Sequence, residues 1–120
     1  MKPVFDTNIL IDYLNGIPQA AKELGRHADG RISPVTWIEV MAGAADSEEA
    51  ALRSFLSRFD QVAVNPQVAE AAFVLRRRYG IRLPDAIIWA SARSEHTLLI
   101  TRNTKDFPED EPDIRVPYRV

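Results

Sequence analysis

The sequence contains no cysteine and only two histidines in 120 residues. That excludes disulfides, thiolate nucleophiles and cysteine-ligated zinc, and it leaves no histidine-rich metal site to build. His27 and His96 stand in polar settings and read as surface residues. No apolar stretch is long enough to span a bilayer, and no N-terminal run has the pattern of a signal peptide, so a cytoplasmic protein is expected. An excess of positive charge is also missing. The formal charge is −2, which by itself argues against a general nucleic-acid-binding domain. A nucleic-acid substrate would therefore need acids concentrated in a metal site and basic residues gathered elsewhere. Repeats, low-complexity tracts and linkers are absent as well. At 46% hydrophobic and 27% charged, the chain can bury a core, and its length suits one domain over residues 1–120.

Strand and helix signals alternate. "KPVFD" reads as a strand and "TNILIDYLNG" as a helix with Leu10, Tyr13 and Leu14 on one face. "PQAAKELGRHA" opens a helix on proline, and "GRISP" is a brief strand stopped by Pro34. "VTWIEVMAGA" spaces Trp37, Val40, Met41 and Ala44 helically. "DSEEAALRSFLSRF" is amphipathic, with Asp46 or Ser47 as cap and Leu52, Phe55, Leu56 and Phe59 on one face. "QVAV" predicts a strand. "NPQVAEAAFVLRRRYG" predicts a helix capped by Asn65, and "LPDAIIWASARSE" one that is apolar nearly all round. "TLLIT" and "DIRVPYRV" supply two more strands around the polar turn "RNTKDFPEDEP". The alternation predicts an α/β fold: a central parallel β-sheet flanked by α-helices on both faces.

Most acids stand in solvated settings, Glu48, Glu49, Glu109, Asp110 and Glu111 among them. Three differ. Asp6 ends the first strand, Glu39 interrupts an almost uncharged helix, and Asp85 opens the all-apolar one. Each has a local explanation: Asp6 and Asp85 can accept helix N–H groups, and Glu39 can reach solvent. Together they fit a second account. All three follow a strand or lie in the first turns of a helix after one, so a parallel sheet carries them to the same edge. Carboxylates converging there repel unless a cation joins them, and a hard divalent ion with oxygen ligands suits them.

At this point a family likeness enters. "VFDTNILIDYL", "TWIEVMAG", "LPDAIIWASA" and "LLITRNTKDF" resemble, in order and spacing, the four motif blocks of PIN-domain ribonucleases, and are most similar to the VapC-type toxins of type II toxin–antitoxin pairs. The resemblance reaches from the first residues to about Phe107. It implies the PIN-like sheet, a Mg²⁺- or Mn²⁺-dependent site, and endonucleolytic hydrolysis of RNA, transfer RNA included, leaving 5′-phosphate and 3′-hydroxyl ends. It places the family acids on Asp6, Glu39 and Asp85 as metal ligands and catalytic residues, with Thr7, Asn8 and Thr101 in support. The fourth family position falls on Asn103 where many relatives have Asp, with Asp106 near enough to compensate. A VapB-like antitoxin and a homodimer are further expectations of the resemblance.

RNA would be gripped by basic residues near these blocks, Arg82, Arg78 and Arg102 first. Arg76, Arg77 and Arg78 point about 100° apart around a helix, so they cannot all face one groove, and a solvated helix end also explains them. Two other classes, one enzymatic and one signalling, require residues that the sequence lacks. A haloacid-dehalogenase-type site wants a second Asp where Asn8 stands, and a receiver domain wants an acidic pair and a strand-end lysine that are missing. A PIN-fold RNA- or protein-binding module with impaired catalysis remains the alternative, because Asn103 carries no charge.

Overall fold

The computed structural model describes residues 2–120. In chain order the elements are β1 (Val4–Phe5), α1 (Thr7–Leu14), α2 (Pro18–Gly25), β2 (Arg31–Ile32), α3 (Pro34–Ala42), α4 (Glu49–Leu56), β3 (Asp60–Gln61), α5 (Pro66–Tyr79), α6 (Leu83–Ser94), β4 (Leu99–Ile100) and β5 (Ile114–Arg115). The strands form one parallel sheet in the order β3-β2-β1-β4-β5. The chain moves outward from β1 through β2 to β3, then returns to β1's other side with β4. That reversal of direction is where parallel sheets open a crevice at the carboxyl ends of their strands.

Alternation along each strand divides the core. Val4 and Leu99 point to one face with Leu75, Ile88 and Trp89 of α5 and α6. Phe5 and Ile100 point to the other with Ile9, Leu10 and Phe55 of α1 and α4. Helices therefore cover both faces, as the sequence predicts. α6 is buried on most of its circumference, and its fully buried Trp89 still donates its indole N–H to Asp113 at 2.8 Å.

Local signals explain most boundaries. Asn65 caps α5 by accepting the Val68 N–H at 2.9 Å, and Pro66 follows at a position that has no N–H to satisfy. Gly80 ends that helix with φ +65°, a left-handed conformation that glycine adopts at least steric cost.

Several expectations are corrected. The fourth helix does not begin on an Asp46 or Ser47 cap. A short 3₁₀ turn covers Asp46–Glu48, α4 starts at Glu49, and the Glu48 carboxylate accepts the Ala45 N–H at 2.8 Å. The third strand pairs through Asp60 and Gln61, just ahead of the apolar "VAV". Leu14 is exposed rather than inward. His27 is not a free surface residue: it is half-buried, and its Nε2 lies 3.1 Å from the carboxylate of buried Glu23. Glu111 is half-buried too, and accepts the Tyr79 hydroxyl.

β1 and β2 also approach closely at Gly30. A Cβ there would stand 2.4 Å from the Phe5 ring, itself fixed in the core. Gly30→Ala is expected to cost about 1–3 kcal/mol of stability by overpacking, measured as a lower urea midpoint at unchanged slope.

Candidate active site

The crevice lies where the sheet order requires, at the carboxyl ends of β1 and β4. It holds about 430 Å³, and its walls include Asp6, Glu39, Asp85, Arg82, Arg102 and Asn103.

Asp6 follows β1 directly. Its backbone N–H extends the ladder to Ile100 O at 2.9 Å, and its side chain caps α1. The cap and the site are therefore the same group. Asp6 is 4% exposed, and three donors hold its carboxylate. Oδ1 accepts the Thr7 N–H at 2.7 Å, and Oδ2 accepts the Thr101 hydroxyl at 2.7 Å and the Asn8 amide at 3.2 Å. Burial still dominates and pushes the carboxyl up to about 6, against the pull of Thr101 and Thr7, with the charges of Asp85 and Glu39 adding to the rise.

Asp85 is 6% exposed, in the first turn of α6. That helix follows α5 and not a strand, so the strand-end placement expected from the sequence does not account for this acid. Burial raises its pKa, Arg82 opposes the rise, and the charges of Asp106 and Glu39 reinforce it. The Arg82 Nη2 lies 3.3 Å from Asp85 Oδ2, although 73% of the arginine side chain is exposed. Glu39 differs from the other two. α3 presents it at an exposed position on the rim, where Oε1 accepts the Thr7 hydroxyl at 2.7 Å. That hydroxyl is also 2.9 Å from the hydroxyl of buried Thr36.

Asn103 and Asp106 are hydrogen-bonded to each other. The Asn103 amide donates to Asp106 Oδ2 at 2.9 Å, and its carbonyl accepts the Asp106 N–H at 3.2 Å. Asn103 thus borders the crevice and holds Asp106, whose charge Asp85 feels. Thr101 accepts the Asn103 N–H at 3.0 Å while donating to Asp6.

The three separated acids therefore share one crevice and sense one another's charge. Among the described residues, however, no three acids or histidines stand close enough to form a ready-made metal cage. Each carboxylate takes its own protein donor instead. The donor set is all oxygen, which fits a hard divalent cation and not zinc.

The basic residues divide. Arg82 and Arg102 line the crevice. Arg78 is exposed, lies outside that wall, and stacks over Tyr79 with 5.5 Å from guanidinium to ring centre. Arg76 donates to Ile81 O at 2.7 Å. The Arg102 guanidinium is bound by Asp12, a buried acid that sequence reading passes over, as it does Glu23. Asp12 interrupts an apolar helix as Glu39 does, and it stands one turn after Asn8. Those two signals could have singled it out.

The raised carboxyl of Asp6 has a consequence for stability. Folding costs nothing from this group below its unfolded value near 3.8, and the penalty grows as pH rises toward 6. With chelator present, Asp6→Asn is expected to stabilise the protein by on the order of 2 kcal/mol at pH 8 and by almost nothing at pH 4. Urea unfolding at the two pH values checks this.

The profile of the PIN domain family matches residues 4–109. Ribonuclease VapC19 of Mycobacterium tuberculosis (strain ATCC 25618 / H37Rv) is 34% identical over 124 residues, covering 96% of this chain and 98% of that protein. A chain in a toxin-antitoxin complex from Klebsiella pneumoniae superposes with a TM-score of 0.94 at 41% identity, covering 99% of this chain and all of its own. VapBC2 from Rickettsia felis, bound to a DNA fragment from its promoter, gives 0.78 at 23% identity, covering 95% and 96%, and supports the fold alone. The chain belongs to the PIN-domain family and, within it, to the VapC-type toxin ribonucleases.

Proposed function

We propose that the chain is a Mg²⁺-dependent endoribonuclease, with Mn²⁺ able to replace Mg²⁺, acting in the cytoplasm as the toxic half of a pair silenced by a VapB-like antitoxin. The observation that carries this reading is the pairing of two buried carboxylates, Asp6 and Asp85, that repel one another in a single crevice. Bound there, the cation would polarise a phosphate and lower the pKa of a water.

The chain's own residues do the rest. Asp6 and Asp85 would hold the cation. Thr101 and Thr7 keep Asp6 aimed, and Asn8 braces it from α1. Glu39 has Oε1 committed to Thr7, which leaves Oε2 to orient the attacking water and accept its proton. A water O–P bond forms, the P–O3′ bond breaks in line, and the 3′ oxygen takes a proton from solvent, giving 5′-phosphate and 3′-hydroxyl ends. Asn103 and Asp106 act as a bonded pair on the Asp85 side and would offer hydrogen bonds to water bound at a cation there. Arg82 leaves Asp85 at small cost, being mostly exposed, and takes an RNA phosphate instead. Arg102 is a second phosphate contact, and Arg78 adds to the field that attracts the polyanion.

A groove of about 290 Å³, bordered by Ile11, Leu14, Val40 and Leu52, shares Ile11 and Glu39 with the crevice. We assign it to an apolar segment of the antitoxin. A solved relative at 41% identity comes from a toxin-antitoxin complex, and a segment seated here would touch Glu39 at the crevice rim. A homodimer is proposed on the family likeness, and light scattering would return twice the 13.5 kDa of one chain. Transfer RNA is the first substrate to assay.

Cleavage of a labelled RNA mixture by the purified protein is expected with Mg²⁺ and lost with chelator. Asp6→Asn and Asp85→Asn should each lower the rate at least a hundredfold while leaving the circular-dichroism spectrum unchanged. Wild-type cleavage by Asp6→Asn would refute the assignment. A wild-type protein that binds RNA but never cuts it with either metal would establish the catalytically impaired binding module.

A further inference from the structure

Arg102 stands on the crevice wall, yet its side chain is anchored on the helix beside it. Nε and Nη2 both donate to the Asp12 carboxylate, the latter at 3.0 Å. Asp12 is 5% exposed, and its Oδ2 also accepts the Tyr118 hydroxyl at 2.9 Å. The Arg102 main chain is tied to the same helix, its N–H donating to Asn8 Oδ1 at 3.4 Å, and the Asn8 amide contacts Asp6. A hydrogen-bonded line therefore runs from Tyr118 through Asp12 and Arg102 to the crevice.

A guanidinium has five N–H donors. Asp12 takes one on Nε and one on Nη2, leaving two on Nη1 and one on Nη2. The pair is electrically neutral as a unit, so its value to an anionic ligand lies in a fixed direction rather than in added charge. An arginine already immobilised loses little rotamer freedom when it meets a phosphate.

We propose that Asp12 and Tyr118 are positioning residues that hold the Arg102 guanidinium as a preset phosphate clamp, with its remaining N–H donors available to RNA at the crevice. This rests on the ribonuclease reading of the site. Tyr118 lies sixteen residues beyond Arg102 in sequence, so the segment after β5 serves the crevice without lining it.

Tyr118→Phe tests this because it removes one hydroxyl and no charge. Under slow-turnover conditions, where KM reports binding, it should raise KM for RNA three- to tenfold and change kcat less than twofold. In an Arg102→Ala background the same substitution should shift KM less than twofold. Arg102→Lys should not restore wild-type KM, since one ammonium cannot bridge Asp12 and a phosphate in the same way. If Arg102→Ala fails to fold, the Asp12→Asn/Arg102→Gln double variant, which keeps a neutral hydrogen bond, is the background. An unchanged KM in Tyr118→Phe overturns the proposal, and so does a rise that persists without Arg102.

The Arg102 Nε–H signal in ¹⁵N NMR reads the clamp without RNA. It should exchange slowly in wild type and be lost in Asp12→Asn. Wild-type exchange as fast as that of an exposed arginine overturns the clamp even if RNA is cut. A protected signal in a protein that cuts no RNA overturns the ribonuclease reading instead.

Discussion

A single buried carboxylate organises this molecule. Asp6 is placed at the end of a central strand, and its ionised form is both supported and opposed there. Thr7, Asn8 and Thr101 supply donors, while burial and the charges of Asp85 and Glu39 push toward the protonated form. The donors come from two segments ninety-three residues apart or more, joined only because β1 and β4 are neighbours. The sheet order is thus a condition of the site. If β4 paired elsewhere, Thr101 would not reach Asp6, and the Asn103–Asp106 pair would not approach Asp85.

The same arrangement explains why the acids do not collapse into one cluster. Like charges in a partly dry crevice repel, and each takes the nearest donor: Thr101 for Asp6, Thr7 for Glu39, Arg82 for Asp85, Asn103 for Asp106. These four contacts are individually modest. A divalent cation bound there would compete with them by satisfying several carboxylates at once, and Arg82, whose side chain is mostly exposed, holds the weakest of the four contacts. Away from the crevice, buried acids are treated differently. Asp12 and Glu23 are bound by Arg102 and Arg115, which hold their carboxyl groups below the ordinary range. Their stabilisation is present at neutral pH and is lost as the solution is acidified, opposite in sign to the effect of Asp6.

Much of this was legible in the sequence because it is local. Asn65 followed by Pro66, the apolar alternation of Val4–Phe5 and Leu99–Ile100, and the acid placed directly after a strand are all short-range signals. The four motif blocks located the crevice. What escaped depends on partners distant in sequence. Nothing near Asp12 or Glu23 announces an arginine ninety or more residues away, so neither stands out in the sequence as a bound acid. Glu39, the one acid in an almost uncharged helix, is turned by that helix to the exposed rim. His27 looked free until α2 set it one turn from Glu23. Arg102 looked like an unpaired phosphate contact for the same reason that Asp12 looked idle.

Burial and like charge oppose the ionised form of Asp6, and a divalent cation bound beside it would relieve that opposition. Titration of the Asp6 ¹³Cγ resonance by NMR tests this most directly. In metal-free protein the midpoint should fall near pH 6, and saturating Mg²⁺ should move it well below the ordinary carboxylate range. A midpoint near 4 that Mg²⁺ leaves in place would contradict the account.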